Sequence, residues 1–413
     1  MPRFLRPGLA FILVGLFSSL SLGEAHAQPH QLSDQSRITV VTILPGEAVH
    51  SIFGHSAVRV HDPVHNLDRL YNYGTFNFGD PFFIPKFTYG HLRYFLSVAS
   101  YPSALRLYRR QGRPVIEQEL ALTRPQRTAL YRFLQNNARP ENRYYQYDFF
   151  FDNCSTRIRD ALKTTLGDTL QYASEPNPDR SFRQLLDIYV KDRPLLDLGF
   201  DLSLGTPADA VPTAQESMFL PDYLLEGLDH ARITTEGRTR PLVARTDTVL
   251  WVDGYARDQA AFDWPTGLSW GMLLLVLGWT GWQASTGRRP EGRGDALLLA
   301  SVGLVGLIVC FLWFISAHGV TEQNWNLAWA WPTHLIAAAL LVRRPLTVGL
   351  RRYLGVAALI SGVFVLGWAL WPQNLHAAVL PFSLAVAARC GWWALQPVSS
   401  APPSPVAQSS GAE

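Results

Sequence analysis

A cysteine near the middle of the chain, Cys154, is the strongest candidate for chemistry. It follows Asp152 and Asn153, either of which suits a helix N-cap, and residues 155–163 have a helical composition. The thiol is therefore expected in the first helical turn. Unpaired backbone N–H groups and the positive end of the helix dipole favour a nucleophilic thiolate there.

Two arginines and the other cysteines bear on the state of this thiol. Arg157 and Arg159 follow within two turns and are expected to lower the pKa of Cys154 further. Cys310 and Cys390 lie inside apolar segments, so Cys154 is the only cysteine of the exported soluble portion. Most free cysteines are small buried hydrophobes. A lone thiol in an oxidising compartment is nevertheless a liability unless it is paired, buried or used.

A nucleophilic thiolate needs a base, and His55 is the strongest of several histidines for that role. It follows Gly54 at the start of a predicted strand, a position that presents a side chain at a sheet edge. A lone histidine at a strand start is more often structural, and this alternative stays open.

The strands predicted at 56–60 and 70–78 would form a hairpin centred near residues 64 and 65. His55 would then face the region around residues 72–77. Asn72 is the first candidate to orient the imidazole, ahead of Thr75 and Asn77. A hydroxyl of Tyr71 or Tyr73, beside the backbone N–H of Cys154, would serve a developing oxyanion.

The histidines between positions 50 and 65 also raise a metal site as an alternative. His61 and His65 have the i, i+4 spacing of a helical zinc pair, but Pro63 lies between them in a predicted turn. No glutamate follows the first histidine as a general base. We expect no metal ion and no cofactor.

The remaining elements of the soluble portion follow from alternation, caps and turn residues. Strands are predicted at 37–44, 115–122 and 242–252, and helices at 124–137 (capped by Thr123), 155–167, 182–191 and 215–231. The aromatic stretch 82–101 is expected to fold over the sheet or to line a groove, with core packing favoured over a lipid groove.

Composition divides the chain into an exported domain and a membrane domain. Residues 1–27 have the charged, apolar and small-residue regions of a signal peptide, residues 28–264 form the soluble domain, and residues 397–413 form a disordered cytoplasmic tail. Between them, in 265–396, five apolar segments lie near 268–285, 296–316, 325–342, 354–371 and 376–395. Each is close to the ~20 residues that cross a bilayer.

Arginines decide the orientation of these segments. They are concentrated in the first and third loops, at 286–295 and 343–353, whereas the second and fourth loops contain no Lys or Arg. The positive-inside rule then places the first and third loops in the cytoplasm and the soluble domain outside. Net charge is only +3, and no nucleic-acid signature is present.

Three stretches resemble a known family: Ser51–Val60 (SIFGHSAVRV), Tyr71–Phe78 (YNYGTFNF) and Arg143–Asp160. They are similar to the periplasmic domain of the Lnb-type family, the intramolecular lyso-form lipoprotein N-acyltransferases. Met218–Leu224 and the membrane segment around 324–335 are similar too. The order His then Cys resembles circularly permuted papain-like enzymes, and the family's catalytic pair would fall on His55 and Cys154. Asn72 remains an inference from strand pairing.

The resemblance implies an α+β, permuted papain-like thiol domain followed by a five-helix transmembrane domain. It implies a multi-pass protein of the bacterial inner membrane with a periplasmic catalytic domain. Its Cys154 would carry an acyl group as a thioester from a membrane lipid or lipoprotein to a lipoprotein amine. The alternatives are an envelope amidase or peptidase of papain-like type, with water as acceptor, and a non-enzymatic envelope assembly module.

Overall fold

The architecture is that of a computed structural model, which describes residues 31–76, 81–91, 93–172, 180–255, 260–290, 292–343 and 346–398. The predicted signal peptide and most of the predicted tail lie outside these residues. A mixed α/β N-terminal domain with a large sheet is followed by a helical C-terminal domain. This much of the predicted fold class is confirmed, whereas the permuted papain-like relationship stays a prediction.

The strands are numbered in chain order. They are β1 (Arg37–Ile43), β2 (His55–Asp62), β3 (Leu67–Thr75), β4 (Arg93–Ser100), β5 (Val115–Leu120), β6 (Tyr144–Gln146), β7 (Leu170–Gln171), β8 (Arg232–Thr235), β9 (Arg238–Pro241) and β10 (Val243–Leu250). The helices of the N-terminal part are α1 (Phe83–Tyr89), α2 (Tyr101–Arg110), α3 (Arg124–Asn137), α4 (Cys154–Leu166), α5 (Phe182–Val190), α6 (Pro194–Ser203), α7 (Ala214–Ser217) and α8 (Pro221–His230). The C-terminal helices are α9 (Trp264–Thr286), α10 (Gly292–Phe314), α11 (His334–Arg343), α12 (Val348–Leu366) and α13 (Val379–Ala394).

Seven strands form the main sheet, in the order β10-β5-β1-β2-β3-β4-β6, and every neighbouring pair is antiparallel. In the β2–β3 hairpin Val58 lies opposite Tyr71, so the hairpin is centred between residues 64 and 65, as predicted. On the other side of β2, Ile43 of β1 pairs with His55. Three strands, β7, β8 and β9, form a second small sheet.

The two faces of the main sheet are covered by different helices. Val58, Val60 and Tyr71 face a core that includes side chains of α3 and α4. Ala57 and Leu70, on the opposite face, pack with Tyr101, Ala104 and Tyr108 of α2. Because side chains alternate along a strand, His55 lies on the α2 face with Ala57, and Ser56 lies on the α4 face.

Two predictions for the N-terminal domain are wrong, namely that residues 82–101 fold over the sheet and that residues 215–231 form one helix. The core packing favoured for 82–101 is confirmed for Tyr94 and Leu96. The aromatic stretch 82–101 contains α1 and β4, and β4 is a strand of the main sheet between β3 and β6. Its alternation of buried Tyr94 and Leu96 with more exposed neighbours was obscured by its aromatic content. The helix expected at 215–231 is split into α7 and α8, because Pro221 starts a new helix at a position where no N–H is needed.

The C-terminal domain differs from the five-segment prediction at its third segment. Residues 325–328 form a single 3₁₀ turn and α11 begins only at His334, two residues after Pro332. Within the described part, α10 and α12 are long and apolar enough to cross a membrane, and α13 is a shorter apolar helix. A domain with five membrane-spanning helices stays a prediction.

Candidate active site

Cys154 is the first residue of α4, as the cap residues predict. The side-chain oxygen of Asn153 accepts hydrogen bonds from the backbone N–H groups of Ser155 (2.8 Å) and Thr156 (3.0 Å). The Asn153 N–H in turn donates to the Thr156 hydroxyl at 2.8 Å, which completes a capping box. The thiol therefore lies at the positive end of the helix dipole, beside an N–H that the cap does not use.

A serine pair attaches this helix start to the sheet. The hydroxyl oxygens of Ser155 and Ser56 are 3.0 Å apart, and both side chains are fully buried. The backbone N–H of Ser56 also donates to the Cys154 sulfur. Cys154 is consequently held against the beginning of β2, where His55 lies.

His55 owes its position to the turn that precedes β2. Gly54 has a φ of 79°, in the left-handed region, and a Cβ there would come within 3.0 Å of the Ile43 carbonyl oxygen. Glycine is therefore required for the chain to turn this close to β1. The turn delivers His55 to the sheet end that also receives Cys154.

The third predicted residue, Asn72 of β3, contacts the histidine directly. Its Oδ1 forms a hydrogen bond with His55 Nε2. The remaining ring nitrogen, Nδ1, is then the one available to the Cys154 thiol. The structure thus brings Cys154, His55 and Asn72 together in the order nucleophile, base and orienting group that a thiol mechanism requires; their catalytic roles stay a prediction.

Burial and charge act in opposite directions on the thiol and the imidazole. Burial raises the pKa of Cys154, but the charge and hydrogen bond of His55, the Ser56 N–H and the Ser155 hydroxyl lower it, and the net pKa is lowered. Burial lowers the pKa of His55, but the charge and hydrogen bond of Cys154 and the hydrogen bond of Asn72 raise it, and the net pKa is raised. Both directions favour the thiolate–imidazolium pair.

The absence of a side chain at Gly74 leaves room for Cys154 and His55 to lie side by side. The β3–β4 register shifts between Asn72 and Thr75, which is the signature of a bulge, and Gly74 within it has a φ of 85°. A Cβ at this position would lie 3.4 Å from Cys154 Cβ and 3.8 Å from His55 Cε1. The bulge therefore brings a bare stretch of backbone against both reacting groups.

The predicted role of the two arginines is not supported, because each has another partner. Arg157 makes a bidentate ion pair with Asp152 (2.6 and 2.7 Å), and its guanidinium lies 3.6 Å above the ring of Tyr145. Arg159 binds Asp160 at 2.7 Å. The lowered pKa of Cys154 comes, against the raising effect of burial, from His55 and the adjacent serines.

Tyr71 and Tyr73 are also unsuited to the oxyanion role predicted for them. Both are nearly inaccessible, on the sheet face that packs against α3 and α4. The ring of Tyr71 packs edge-on against Tyr131, and that of Tyr73 packs against Tyr145. Their hydroxyl groups belong to the core.

The histidines of the β2–β3 turn do not assemble a metal site. His65 Nδ1 lies 2.8 Å from Asp62 Oδ2, and the same carboxylate accepts hydrogen bonds from the backbone N–H and hydroxyl of Ser33. These bonds close the hairpin end. No group of three His, Cys, Asp or Glu side chains in the described ranges is arranged to hold a metal ion.

The structure adds neighbours that the sequence analysis did not identify. Tyr108 of α2 interacts with the Asn72 side chain, and the buried Arg113 donates to the carbonyl oxygens of Leu44 (2.9 Å) and Ile43 (3.4 Å). Tyr147, on the approach to α4, packs on the same core as Cys154. Only Tyr147 had a signal in the sequence, namely its place in the aromatic run before the cysteine.

Two family models match the chain. One, described as the Lnb N-terminal periplasmic domain, matches residues 26–187, and the other, the Lnb transmembrane domain, matches residues 257–400. The chain belongs to the Lnb family. No curated protein and no solved structure matches it.

Family membership settles the general organisation of the protein. The Lnb periplasmic model covers six of the seven strands of the main sheet, all but β10, and all of α4, and hence Cys154, His55 and Asn72. The Lnb transmembrane model covers α9 to α13. This Lnb-family chain is therefore a membrane protein with an extracytoplasmic domain, and the predicted family resemblance is confirmed.

Proposed function

We propose that this Lnb-family protein is a thiol-dependent acyltransferase that transfers an acyl chain through a thioester to a lipoprotein amine. In this proposal it is a multi-pass protein of the bacterial inner membrane with its active site on the outer side. The observation that carries the proposal is the arrangement of Cys154, His55 and Asn72. A capped helix start presents the thiol, and an oriented imidazole lies beside it.

In the first half-reaction the Cys154 thiolate attacks the carbonyl carbon of an ester in a membrane lipid or lipid-modified protein. The carbonyl π electrons move to oxygen and give a tetrahedral oxyanion. When the intermediate collapses, the ester C–O bond breaks and the alkoxide takes the proton of the His55 imidazolium. The products are a Cys154 thioester, an alcohol and a neutral imidazole.

In the second half-reaction an amine attacks the thioester carbonyl. The C–S bond breaks, and the neutral His55 accepts the proton that the amine nitrogen loses. An amide is formed, and the thiolate–imidazolium pair is restored. Asn72 keeps the imidazole in one orientation through both proton transfers, because it holds Nε2 and leaves Nδ1 toward the sulfur.

The test is mass spectrometry of the Cys154 peptide after the full-length protein has been incubated with bacterial membranes. We expect a hydroxylamine-labile acyl adduct on Cys154 that disappears when a lipoprotein with a free N-terminal amine is added. Cys154→Ala should form no adduct and have no transfer activity. Ser155→Ala, which removes the neighbouring hydroxyl, should still form the adduct. Full transfer activity in Cys154→Ala would exclude this mechanism.

A further inference from the structure

The proposed reaction passes twice through an oxyanion, whose negative charge hydrogen-bond donors must stabilise. The backbone N–H of Cys154 is the first candidate donor, since the Asn153 cap engages the next two N–H groups instead. Acyl-transfer sites commonly supply two donors, aimed at the position where the negative charge develops. Tyr71 and Tyr73 are almost inaccessible within the core and are therefore unsuited to be the second donor.

Tyr147 is placed next to Cys154 by a closed loop. The backbone groups of Asp148 and Asp152 bind each other through two hydrogen bonds of 3.0 Å in an antiparallel bridge. The residues flanking this bridge, Tyr147 and Asn153, are therefore neighbours across it, and Cys154 comes next. The Asp148 side chain accepts two backbone N–H bonds inside the loop, both at 2.9 Å, which holds the loop in shape.

The ring of Tyr147 packs against a neighbouring ring, and its hydroxyl can donate a hydrogen bond to a substrate. The ring stacks on Tyr94 with centroids 4.3 Å apart and planes 23° apart. Both Tyr147 and Cys154 are half-buried at the edge of the same core. Among the described groups, none hydrogen-bonds the Tyr147 hydroxyl. Burial, and then the charge of Cys154, raise the pKa of Tyr147 well above its usual value, so the hydroxyl keeps the proton that a donor needs.

We propose that the Tyr147 hydroxyl is the second oxyanion donor of this site and acts together with the backbone N–H of Cys154. The inference rests on the proposed acyl-transfer function. When the thiolate adds to the ester carbonyl, the new oxyanion accepts hydrogen bonds from both groups. Neither donor transfers its proton, and the proton that leaves with the alcohol still comes from His55.

Tyr145 is the matched control for this assignment. It lies two residues away on β6, the residue is only 8% exposed, and its hydroxyl is buried beside the Gly74 backbone. The Arg157 guanidinium covers its ring. A substrate oxygen cannot reach this hydroxyl in the described structure, although the charge of Cys154 acts on it as well.

The experiment compares Tyr147→Phe with Tyr145→Phe in the full-length protein, using a soluble ester that acylates Cys154. We expect Tyr147→Phe to slow thioester formation by about 10²–10³-fold, the usual effect of removing one oxyanion donor. Tyr145→Phe should react at the wild-type rate. The rate of Cys154 alkylation by iodoacetamide should be unchanged in both variants across the pH range, because displacement at an sp³ carbon forms no oxyanion.

The outcomes separate this inference from the function on which it rests. Slow acylation with unchanged alkylation in Tyr147→Phe supports the assignment. An unchanged acylation rate in Tyr147→Phe overturns the assignment. An acylation rate and an alkylation rate that fall equally also overturn it, because Tyr147 would then only shape the site. If the wild type forms no thioester at all, the proposed function fails before Tyr147 is considered. A thionoester, in which sulfur replaces the carbonyl oxygen, gives a second measurement. Acylation by this substrate should be slower than acylation by the ester, and the ratio of the two rates should be smaller in Tyr147→Phe than in the wild type.

Discussion

The thiol and the imidazole of this site each depend on the other for their charge. Burial by itself favours the neutral form of both, because it raises the pKa of Cys154 and lowers that of His55. Their mutual charge and hydrogen bond act against burial, and the net shifts also include a hydrogen bond from Asn72 to the ring and hydrogen bonds from Ser56 and Ser155 to the sulfur. The tendency to form a thiolate–imidazolium pair is therefore a property of the two residues together, and removal of one should shift the other toward the neutral form that burial favours.

His55→Ala should raise the pKa of Cys154 above that of an ordinary cysteine, because burial remains after its largest opposing effect is gone. In the wild type the lowered pKa of Cys154 should let the thiolate react with iodoacetamide at pH values below the pKa of an ordinary cysteine. Each unit by which the pKa rises above the assay pH lowers the thiolate fraction about tenfold. The measurement is the pH profile of Cys154 alkylation by iodoacetamide.

Asn72→Ala is the comparison for this change. It leaves the imidazole in place but removes a hydrogen bond that favours the charged ring. Its alkylation profile should lie between those of the wild type and His55→Ala. A profile identical to the wild type in His55→Ala would contradict the ion pair.

At the level of elements, the first turn of α4 positions the candidate nucleophile, and Asn153 holds this turn in place. Asn153 caps the helix and also donates to the carbonyl oxygens of Phe149 and Phe219, both at 2.8 Å. It thereby connects the helix to the loop before it and to the segment that leads into α8. The same cap geometry occurs in α3, where Thr123 and Gln126 form a capping box away from Cys154.

This pair of caps gives a matched test. Thr123→Ala should destabilise the protein by about 1 kcal/mol, the usual effect of losing an N-cap. Asn153→Ala should destabilise it more, since two carbonyl oxygens also lose a donor. Thermal unfolding of the purified protein measures both losses. Only Asn153→Ala should also slow Cys154 alkylation; an equal effect of Thr123→Ala on the thiol would mean that the cap acts through overall stability.

Elements that are encoded locally could be predicted from the sequence. Alternation located β1 and the β2–β3 hairpin, and the capping residues located α3 and the start of α4. The meeting of His55, Asn72 and Cys154 followed from the hairpin centre and the cap, both of which depend on a few adjacent residues. The catalytic use of these residues stays a prediction.

Features that depend on distant partners could not be predicted. The strand β4 is recognisable only once β3 and β6 lie on either side of it. Arg157 lies close to the thiol in sequence, but its charge is taken up by Asp152 and the ring of Tyr145. The position of Tyr147 depends on a loop closed by two backbone hydrogen bonds, which no composition signal encodes.

At the level of the whole molecule, α6 and the turn after it join the N-terminal domain to the helical domain. Asn324 donates to the carbonyl oxygens of Leu202 (2.9 Å) and Ser203 (3.2 Å), and the Gly205 N–H donates to the Val320 carbonyl at 2.9 Å. The α6 helix also packs against α9 and α10. These contacts hold α6 and the turn after it against the helical domain.

A second link runs from this junction toward the base. Phe200 of α6 packs edge-on against Phe53, with ring centroids 5.8 Å apart, and Phe53 lies two residues before His55. Phe53 also contacts Phe149 and Tyr189. Because these two rings, which lie outside α6, also hold Phe53, a small shift of α6 should leave the histidine in place. The junction is therefore expected to matter for presenting the site to a membrane substrate more than for its local chemistry.

Substitutions at two glycines of this region distinguish presentation of the site to a membrane substrate from the local chemistry of the thiol. A methyl group at Gly205 would collide with the Glu322 carbonyl oxygen, so Gly205→Ala must push the two domains apart at their junction. A methyl group at Gly199, within α6, meets nothing within 4 Å, and alanine is the better helix former by about 1 kcal/mol. We expect Gly205→Ala to lose acyl transfer from a bilayer-embedded donor while Cys154 alkylation and acylation by a soluble ester persist. Gly199→Ala should retain all three. If Gly205→Ala loses alkylation as well, the junction shapes the site itself. If it keeps transfer from the bilayer, the spacing between the two domains is not what delivers the substrate to the thiol.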